Sequence, residues 1–373
     1  MSRPPGTVGD LVGKVETPAL VIDLDAMERN LARMADYARS RRMRLRPHAK
    51  MHKCAALARL QIAAGAVGVC VQKVGEAEAL AAGGVPDLYI SNEVIEPAKL
   101  ERVAHLAGQV KLAIAVDSTL GVQRLAAALR SAGTQVDVFV EIDVGQGRCG
   151  VAPVAAGALA HQVVSNGLSF AGLQAYHGRA QHLRGAAERE AVIRHAVGLA
   201  RAAQASVSAA GLECRLVTGA GTGTFVHEAA SGLYGEIQPG SYLFLDRDYA
   251  DNEPSAGAPR FEHALFVKAQ VMSRGVSHAV VDAGHKSHAI DSGLPKVWQR
   301  DLDFANGGDE HGILRVRTGA AAVLPELGDA VWLVPGHCDP TVNLHDHYVG
   351  VRGGLTAGVV ETIWPIEARG GVR

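Results

Sequence analysis

Hydrophobic and polar positions follow two different rhythms along the chain. From residue 24 to about residue 255, short runs rich in Val, Ile and Leu alternate with longer Ala-rich stretches of helical periodicity. That alternation is typical of βα units around a parallel sheet. Eight such units form a closed (β/α)8 barrel, which typically needs about 250 residues. The pattern predicts the eight barrel strands at residues 43–50, 67–72, 87–92, 110–117, 137–144, 168–177, 214–221 and 236–246.

The rhythm changes after about residue 255, where helical periodicity fades and short strand-like runs separated by turn residues take over. We therefore expect an α/β fold in which residues 24–255 form the barrel and residues 256–373 form a C-terminal all-β domain. Five strands are expected there, within HALFVKAQVMS, HAVVDAG, GILRVRTG, DAVWLVPGH and GVVETIWPIEA. A further strand at residues 19–23 precedes the barrel, and we expect residues 1–23 to add it to the β-domain.

The first helix is expected at residues 24–42, directly after that strand. A short acidic side chain can accept hydrogen bonds from the free backbone N–H groups at a helix start. Asp23 and Asp25 both stand in the right place. Glu28 follows Asp25 by three residues, as in a capping box, and therefore favours Asp25.

Composition narrows the classes of protein that fit. Hydrophobic residues make up 48% and charged residues 20% of the chain, so it can bury a sizeable core. A formal net charge of −1 argues against nucleic acid or an anionic membrane as a main partner. Five scattered cysteines without a CxxC pair argue against a disulfide framework or a structural zinc module. With neither a signal-like start nor a bilayer-length apolar run, we expect a cytoplasmic protein.

Polar residues stand where the predicted strands end, which is where barrel enzymes place their active sites. Lys50 ends the first strand, in MRLRPHAK. A lysine in a barrel mouth is desolvated, and desolvation lowers the pKa of its amine. The neutral amine forms Schiff bases with carbonyl compounds. Lys53 fits an ordinary surface lysine better, because it stands at the start of the next helix.

A Gly-rich turn, TGAGTGT, occupies residues 218–224 between the seventh strand and a helix start. Free backbone N–H groups and the helix dipole favour a phosphate there, although such turns are often no more than tight turns. No Walker lysine follows directly and the GxGxxG pattern is absent from the first βα turn, which disfavours NTP and NAD. Barrel closure brings this turn near Lys50, and together they suggest pyridoxal 5'-phosphate (PLP).

A candidate metal pair lies late in the chain, within PGHCDPTVNLHDHY. His337 and Asp339 stand two residues apart, and on an extended segment such residues point the same way. An imidazole and a carboxylate on one face suit a divalent metal. We expect Mn2+, with Mg2+ and Zn2+ as alternatives. His345 and His347 share the spacing and compete for the role.

The motifs taken together resemble those of the D-threonine aldolase family, which belongs to the PLP enzymes with an alanine-racemase-like barrel (fold type III). The resemblance runs from about residue 17 to residue 352. It is carried by TPALVIDLDAMERNLARM, RPHAKMHK, QKVGEAE, DVGQGRCG, GAGTGTF, QPGSYLF and PGHCDPTVNLHD. It implies a PLP-binding barrel, a C-terminal β-domain and a homodimer with active sites near the interface.

The same resemblance implies roles for individual residues. Lys50 would hold PLP as a Schiff base, Arg148 would lie near the PLP phenolic oxygen, and His182 would act as the base for the substrate hydroxyl. His337 and Asp339 would bind the metal. The remaining cofactor-pocket and phosphate positions are Gln72, Tyr176, Thr218, Gly221, Thr222, Gly223, Ser241 and Tyr242.

The implied reaction cleaves D-threonine and related D-β-hydroxy-α-amino acids to glycine and an aldehyde. Aldolases acting on D-3-hydroxyaspartate share the His-x-Asp pattern and remain open. D-Serine and D-3-hydroxyaspartate dehydratases share the lysine motif but usually carry a cysteine two residues after the histidine, where Asp339 stands here. A racemase would need an acid/base tyrosine, and Tyr348 is the only tyrosine after residue 249. Small PLP-holding proteins without turnover lack a C-terminal β-domain.

Overall fold

Two β-sheets organise the computed structural model, which describes residues 3–373. No helix in that range combines the length and the apolar character needed to cross a bilayer. In chain order the strands are β1 (Ala19–Asp23), β2 (Arg44–Leu45), β3 (Val69–Val71), β4 (Asp87–Ile90), β5 (Lys111–Val116), β6 (Asp137–Glu141), β7 (Ser169–Ala175), β8 (Val217–Gly219), β9 (Glu236–Ile237), β10 (Leu265–Arg274), β11 (Ala279–Val281), β12 (Lys296–Val297), β13 (Leu302–Asn306), β14 (Gly312–Val316), β15 (Ala330–Val334), β16 (His347–Arg352) and β17 (Val359–Pro365). The α-helices are α1 (Leu24–Ser40), α2 (Ala55–Ala63), α3 (Val74–Ala82), α4 (Pro97–Leu106), α5 (Thr119–Ala132), α6 (Ala156–Ser165), α7 (Ala186–Ala209), α8 (Phe225–Ala230), α9 (Arg247–Ala250) and α10 (Cys338–Val342).

The first sheet is the barrel. Its eight parallel strands lie in the order β2-β9-β8-β7-β6-β5-β4-β3. A parallel bridge between His48 and Cys70 joins β3 back to the segment after β2, where the Cys70 N–H donates to the Pro47 carbonyl at 2.8 Å. Each strand lies inside its predicted range, so the predicted barrel is confirmed.

The second sheet contains the other nine strands. Its main path is β13-β14-β11-β10-β1-β16-β17, and β15 pairs with both β10 and β12. Strand β1 lies between β10, to which it is antiparallel, and β16, to which it is parallel. The hydrophobic pattern finds five of these strands in the C-terminal region and misses β12, β13 and β16. The division of the chain at residues 23 and 255 stays a prediction.

Helix α1 shows how a tertiary contact overrides a local capping signal. Asp23, not Asp25, caps the helix, because its Oδ1 accepts from the Ala26 N–H at 3.1 Å. The Asp25 carboxylate instead accepts from the Arg352 guanidinium at 3.0 Å and from the Gly353 N–H at 2.9 Å. The preference for Asp25 is therefore wrong, because Arg352 at the end of β16 and the following Gly353 bind that carboxylate.

The barrel interior is polar beneath the carboxyl ends of the strands. Arg46 is buried and forms ion pairs with Asp87 at 2.6 Å and with Glu236 at 3.3 Å. Nearer the strand ends, Gln174 accepts from the Tyr89 hydroxyl at 3.0 Å. Buried charges and amides are costly unless they are paired, and these partners supply the pairing. The polar side chains of the barrel interior are therefore paired below the carboxyl ends of the strands.

Candidate active site

A cavity opens at the carboxyl ends of the barrel strands, where the barrel meets the second sheet. It contains about 620 Å³ of empty space when its open mouth is counted, a size typical of small-molecule sites. All but three of the predicted site residues line it. The lining residues are His48, Lys50, Met51, Gln72, Ser91, Arg148, Gln174, Tyr176, His182, Ala220, Gly221, Thr222, Gln238, Gly240, Ser241, Tyr249, His337 and Asp339.

Lys50 enters the cavity from the short 3-10 turn that follows β2. Its side chain is 38% exposed, and its Nζ lies 3.8 Å from Oδ2 of Asp339. Burial, the largest influence, favours the neutral amine, but the charges of Asp339 and Tyr176 outweigh it and raise the pKa of Lys50. The expected lowering of this pKa is therefore wrong in direction, because the carboxylate of Asp339, from the C-terminal region of the chain, faces the amine.

Lys53 is not a surface lysine, contrary to expectation. Its side chain is only 9% exposed, and its Nζ lies 3.2 Å from Oε1 of Glu76. The same amine donates to Oδ1 of Asn343 at 3.1 Å. Lys53 therefore ties the barrel to the segment that follows the proposed metal pair.

Gln72 belongs to a hydrogen-bonded group at the ends of β2, β3 and β4. Its Nε2 lies 2.9 Å from Nε2 of His48, which in turn lies 3.1 Å from the Ser91 hydroxyl. Burial, assisted by the positive charge of Lys50, lowers the pKa of His48 well below its usual value. A neutral His48 is thus favoured in this group. Sequence reasoning left His48 and Ser91 out of the site, although both follow strand ends.

Arg148 and Tyr176 form another part of the barrel side. The Arg148 guanidinium lies over the Tyr176 ring at 5.7 Å from its centroid, within the range of a cation–π contact. Burial raises the pKa of Tyr176 although Lys50 and Arg148 act in the opposite direction. Arg148 therefore presents a positive charge to the cavity.

An acidic group lies beyond Arg148. Oε1 of the buried Glu141 is 4.0 Å from the Arg148 guanidinium, and burial together with the Glu93 carboxylate raises the pKa of Glu141. Potential ligand atoms of Glu93, Asp117 and Cys149 lie within 4.8 Å of one another. None of these four residues lines the cavity.

The Gly-rich turn contributes Ala220, Gly221 and Thr222 to the cavity. A Cβ atom on Gly221 would lie 2.5 Å from Oε1 of Gln181, so a larger residue at this position would displace the Gln181 side chain. That same oxygen accepts from the Gly223 N–H at 2.9 Å. The turn is therefore held by the loop that follows β7.

Three predicted cofactor residues do not reach the cavity, namely Thr218, Gly223 and Tyr242. Thr218 is fully buried and its hydroxyl donates to Glu236 at 2.9 Å. The Tyr242 ring lies in the core, where its hydroxyl accepts from Gln61 at 3.2 Å. The Tyr242 N–H donates to the Thr222 hydroxyl at 3.1 Å. Tyr242 can therefore act on the turn through its backbone, whereas its side chain is structural.

His337 and Asp339 do converge in the cavity, but the segment is not extended throughout as expected. His337 is extended and precedes α10, and Asp339 lies in the first turn of that helix. His337 Nε2 lies 3.6 Å from Oδ1 of Asp339. Burial disfavours the charged imidazole, but the hydrogen bond to Asp246 and the charge of Asp339 outweigh it and raise the pKa of His337 to about 9. The carboxylates around His337 thus favour a positive charge at this end of the cavity.

The competing residues of the same segment lie elsewhere. Neither His345 nor His347 lines the cavity, and His345 Nε2 donates to the Ser287 carbonyl at 2.7 Å. Tyr348 is fully buried and its hydroxyl donates to the His52 carbonyl at 2.8 Å. The cavity of this chain therefore receives no tyrosine from the second sheet among the described residues.

His182 reaches the cavity from the 3-10 turn Arg179–His182 after β7. Its Nδ1 lies 2.5 Å from Oδ2 of Asp248, and its ring centroid lies 6.5 Å from that of His337. Burial opposes ionisation of Asp248, but hydrogen bonds from His182 and Arg184 outweigh it and lower its pKa. The imidazole is therefore held by an ionised carboxylate.

Sequence reasoning missed Asp246, Asp248 and Tyr249, which surround the two histidines. Asp246 falls inside the range predicted for the eighth strand, and no motif singles out the other two. Their roles follow from contacts with His182 and His337, which are far away in sequence. The sequence alone carries no signal that would have found them.

Comparisons with known proteins agree with this architecture. Residues 22–248 match the family described as alanine racemase, N-terminal domain, and residues 264–351 match a putative serine dehydratase domain. The chain is 47% identical to D-threonine aldolase from Arthrobacter sp over 98% of this chain and 96% of that protein. It is 44% identical to 3-hydroxy-D-aspartate aldolase from Paracoccus denitrificans (strain Pd 1222), over 96% and 93%.

A solved structure is similar over the whole chain. The crystal structure of D-threonine aldolase from Filomicrobium marinum superposes with a TM-score of 0.96 at 48% identity, covering 100% of both chains. Such agreement in sequence, in fold and in both domains goes beyond a shared barrel. The chain therefore belongs to the D-threonine aldolase family of lyases, within the alanine-racemase-like fold.

Proposed function

We propose that the protein is a PLP- and divalent-metal-dependent aldolase that cleaves D-threonine and related D-β-hydroxy-α-amino acids to glycine and an aldehyde. The observation that carries the proposal is the meeting of two kinds of group in one cavity. The amine of Lys50 comes from the barrel, and the carboxylate of Asp339, from helix α10 in the C-terminal region, faces it at 3.8 Å. A carbonyl cofactor and a metal can therefore act on one small substrate.

The residues present fit PLP. Within the described chain, the backbone N–H groups of Gly221, Thr222 and Ser241 have no protein acceptor, and all three residues line the cavity. Such N–H groups suit a phosphate, and Lys50 supplies the amine for a Schiff base. Arg148 would lie beside the phenolic oxygen. When bound, PLP supplies the electron sink for breaking the Cα–Cβ bond.

The metal pair also passes a structural test. Oδ1 of Asp339 is buried and has no hydrogen-bond donor within residues 3–373, although it lies 3.6 Å from Nε2 of His337. A buried carboxylate oxygen without a donor is costly, and a cation would satisfy it. One imidazole and one carboxylate suit Mn2+, with Mg2+ and Zn2+ as alternatives, and the metal would lower the pKa of a substrate hydroxyl.

His182 is the proposed base for that hydroxyl. Its Nδ1 is bound to Asp248, which leaves Nε2 as the nitrogen that can accept the substrate proton. The side chain is 48% exposed and lines the cavity, so a small substrate can reach it. His182 and Lys50 are the proposed catalytic residues.

The lining favours a substrate without a second carboxylate. Lys50 and Arg148 are the only Lys or Arg side chains among the described residues that line the cavity, and both are assigned to the cofactor. A D-3-hydroxyaspartate side chain would need a further cation. We therefore place D-threonine first and D-3-hydroxyaspartate second. Asp339, which stands where related dehydratases carry cysteine, favours the aldolase over the dehydratase reaction.

One assay tests the reaction. The protein is loaded with PLP, treated with a chelator and given D-threonine with and without Mn2+, and the products are identified. Metal-dependent glycine and acetaldehyde are expected, at a kcat/KM above that for D-3-hydroxyaspartate. Formation of 2-oxobutyrate and ammonia would assign the protein to the dehydratases instead. Full activity after chelation would show that the reaction needs no metal.

We further propose a homodimer with the active sites near its interface, in the cytoplasm. The dimer follows from the family resemblance, and sedimentation equilibrium measures it directly. A mass of twice 39.0 kDa is expected, and a monomer at micromolar concentration would contradict the dimer.

A further inference from the structure

His182 and His337, two of the three histidines that line the cavity, are bound by carboxylates of one short turn. The turn runs from Asp246, the N-cap residue, into α9. Oδ2 of Asp246 accepts from His337 Nδ1 at 2.8 Å, and Oδ2 of Asp248 lies 2.5 Å from His182 Nδ1. An ionised carboxylate only accepts hydrogen bonds, so each Nδ1 is the donor. Each Nε2 is thereby left for the cavity.

Hydrogen bonds to neighbouring segments hold this turn in place. Asp246 is fully buried, and its oxygens also accept from the backbone N–H groups of Cys338 at 2.9 Å and Tyr249 at 3.0 Å. The Asp248 N–H donates to the Gly336 carbonyl at 3.0 Å, next to His337. Leu245, directly before the turn, has a φ of +48°, which is unfavourable for leucine. The surrounding contacts thus hold the backbone in one conformation.

Tyr249 completes the turn on the cavity side. Its ring centroid lies 5.8 Å from that of His182 and 6.3 Å from that of His337. Arg184 holds the other oxygen of Asp248 at 2.5 Å. The turn therefore keeps the two imidazoles in a constant mutual position.

We propose that Asp246 and Asp248 are positioning residues, Asp246 for the metal ligand His337 and Asp248 for the base His182. The proposal rests on the proposed function. Each carboxylate selects the tautomer with the proton on Nδ1 and orients Nε2 toward the cavity, an arrangement that fixes the ring and strengthens a metal-binding imidazole as a ligand. One turn thereby sets the distance between the base and the metal site.

Asp248→Asn tests the first half of the proposal, that Asp248 positions His182 as the base. Arg184 needs an oxygen on its side, so the amide NH2 of the variant faces His182 Nδ1 and forces the proton onto Nε2. We expect kcat for D-threonine to fall about 10²- to 10⁴-fold, as for a wrong histidine tautomer, with KM within about threefold. In the His182→Ala background the same substitution should have no further effect. An equal loss of kcat in both backgrounds would show a merely structural role and would overturn this half.

Asp246→Asn tests the second half of the proposal, that Asp246 positions His337 as the metal ligand, and this test does not depend on measuring catalysis. Its readout is the dissociation constant for Mn2+, measured by electron paramagnetic resonance on the PLP-loaded protein. We expect about 10- to 100-fold weaker binding, whereas Asp248→Asn should bind Mn2+ like the wild type. Both oxygens of Asp246 accept hydrogen bonds from backbone N–H groups, and an amide can replace only one of these acceptors. If Asp246→Asn does not fold for this reason, Asp246→Glu is measured in its place. Wild-type Mn2+ affinity in the folded variant would overturn this half.

Asp251→Asn is the matched control. Asp251 ends the same turn, is 53% exposed and pairs with Arg247 at 3.4 Å. Its substitution should change neither kcat nor Mn2+ affinity. If the wild type binds Mn2+ but cleaves no D-threonine, the proposed function fails, while the affinity of Asp246→Asn still decides whether that carboxylate positions His337.

Discussion

The two walls of the cavity are assembled by different means. The barrel wall consists of Lys50, Gln72, Arg148, Tyr176 and the Gly-rich turn, all of which lie at the carboxyl end of a barrel strand or in the loop that follows it. The junction wall consists of Tyr249, His337 and Asp339, where the second sheet meets the barrel. Closure of a parallel barrel brings its strand ends together, so the motifs alone predict the barrel wall. The His-x-Asp pattern predicts His337 and Asp339 as a metal pair, but the position of that pair relative to the barrel depends on how the two sheets dock, which no local pattern encodes.

The difference has an electrostatic consequence. Lys50 belongs to the barrel wall, but Asp339 of the junction wall is, together with Tyr176, a main cause of its raised pKa. His337 belongs to the junction wall and is oriented by Asp246, which lies 91 residues earlier in the chain. The walls are therefore chemically coupled although they are encoded separately, and substitutions in each wall can separate their contributions.

The largest effect is expected for Lys50→Ala, in the barrel wall. Lys50 is the only lysine among the described residues that lines the cavity, so its loss should lower kcat/KM at least about 10³-fold and abolish the visible absorbance of lysine-bound PLP. Thermal stability should stay close to that of the wild type, because Lys50 is 38% exposed. A retained absorbance band would disprove the assignment of Lys50.

Asp339→Ala, in the junction wall, should have the next largest effect. We expect metal-dependent turnover to fall about 10²- to 10³-fold, because one of the two proposed metal ligands is lost, while the PLP absorbance remains. His347→Ala is the control, since His347 lies outside the cavity. If the control variant rather than Asp339→Ala lost Mn2+ affinity, the metal site would have to move to the competing histidine pair.

Glu228, behind the Gly-rich turn of the barrel wall, should make stability pH-dependent. It is buried, its Oε1 accepts from Thr224 at 2.8 Å, and burial raises its pKa to about 7. A raised carboxyl pKa favours the folded state when the group is protonated. This contribution to stability is therefore lost as the pH rises from about 4.5 through about 7.

Glu228→Gln removes this dependence. Relative to the wild type, the variant should gain about 2–3 kcal/mol in free energy of unfolding between pH 5 and pH 8. Urea denaturation at both pH values measures the gain. The same difference between variant and wild type at both pH values would mean that the pKa of Glu228 is not raised.

Lys53→Met should have the smallest effect, on stability rather than on catalysis. The substitution removes the partner of Glu76 and the contact with Asn343 of the junction region. Because Glu76 still accepts from two backbone N–H groups, we expect a loss of about 2 kcal/mol, with kcat within about twofold. An inactive variant of normal stability would place Lys53, not Lys50, in the chemistry.

Local patterns account for most of the fold and for the barrel wall. Strand and helix periodicities depend on neighbouring residues, so all eight barrel strands and β1 were predictable. In the C-terminal region the short β12 has too few residues for a period, and β13 and β16 do not stand out from the flanking turns. The capping choice between Asp23 and Asp25 failed for a different reason, since Arg352 and Gly353 bind Asp25 through space.

The sequence by itself determined that this chain folds as a barrel followed by a β-domain, and that a lysine, an arginine and a glycine-rich turn meet at one end. These follow from periodicity and from the rule that parallel strand ends converge. Only the tertiary structure decided that Lys53 is buried, that Asp339 faces Lys50, and that Asp246 and Asp248 hold the histidines. Electrostatic and hydrogen-bond energies depend on distance in space, which is independent of distance along the chain.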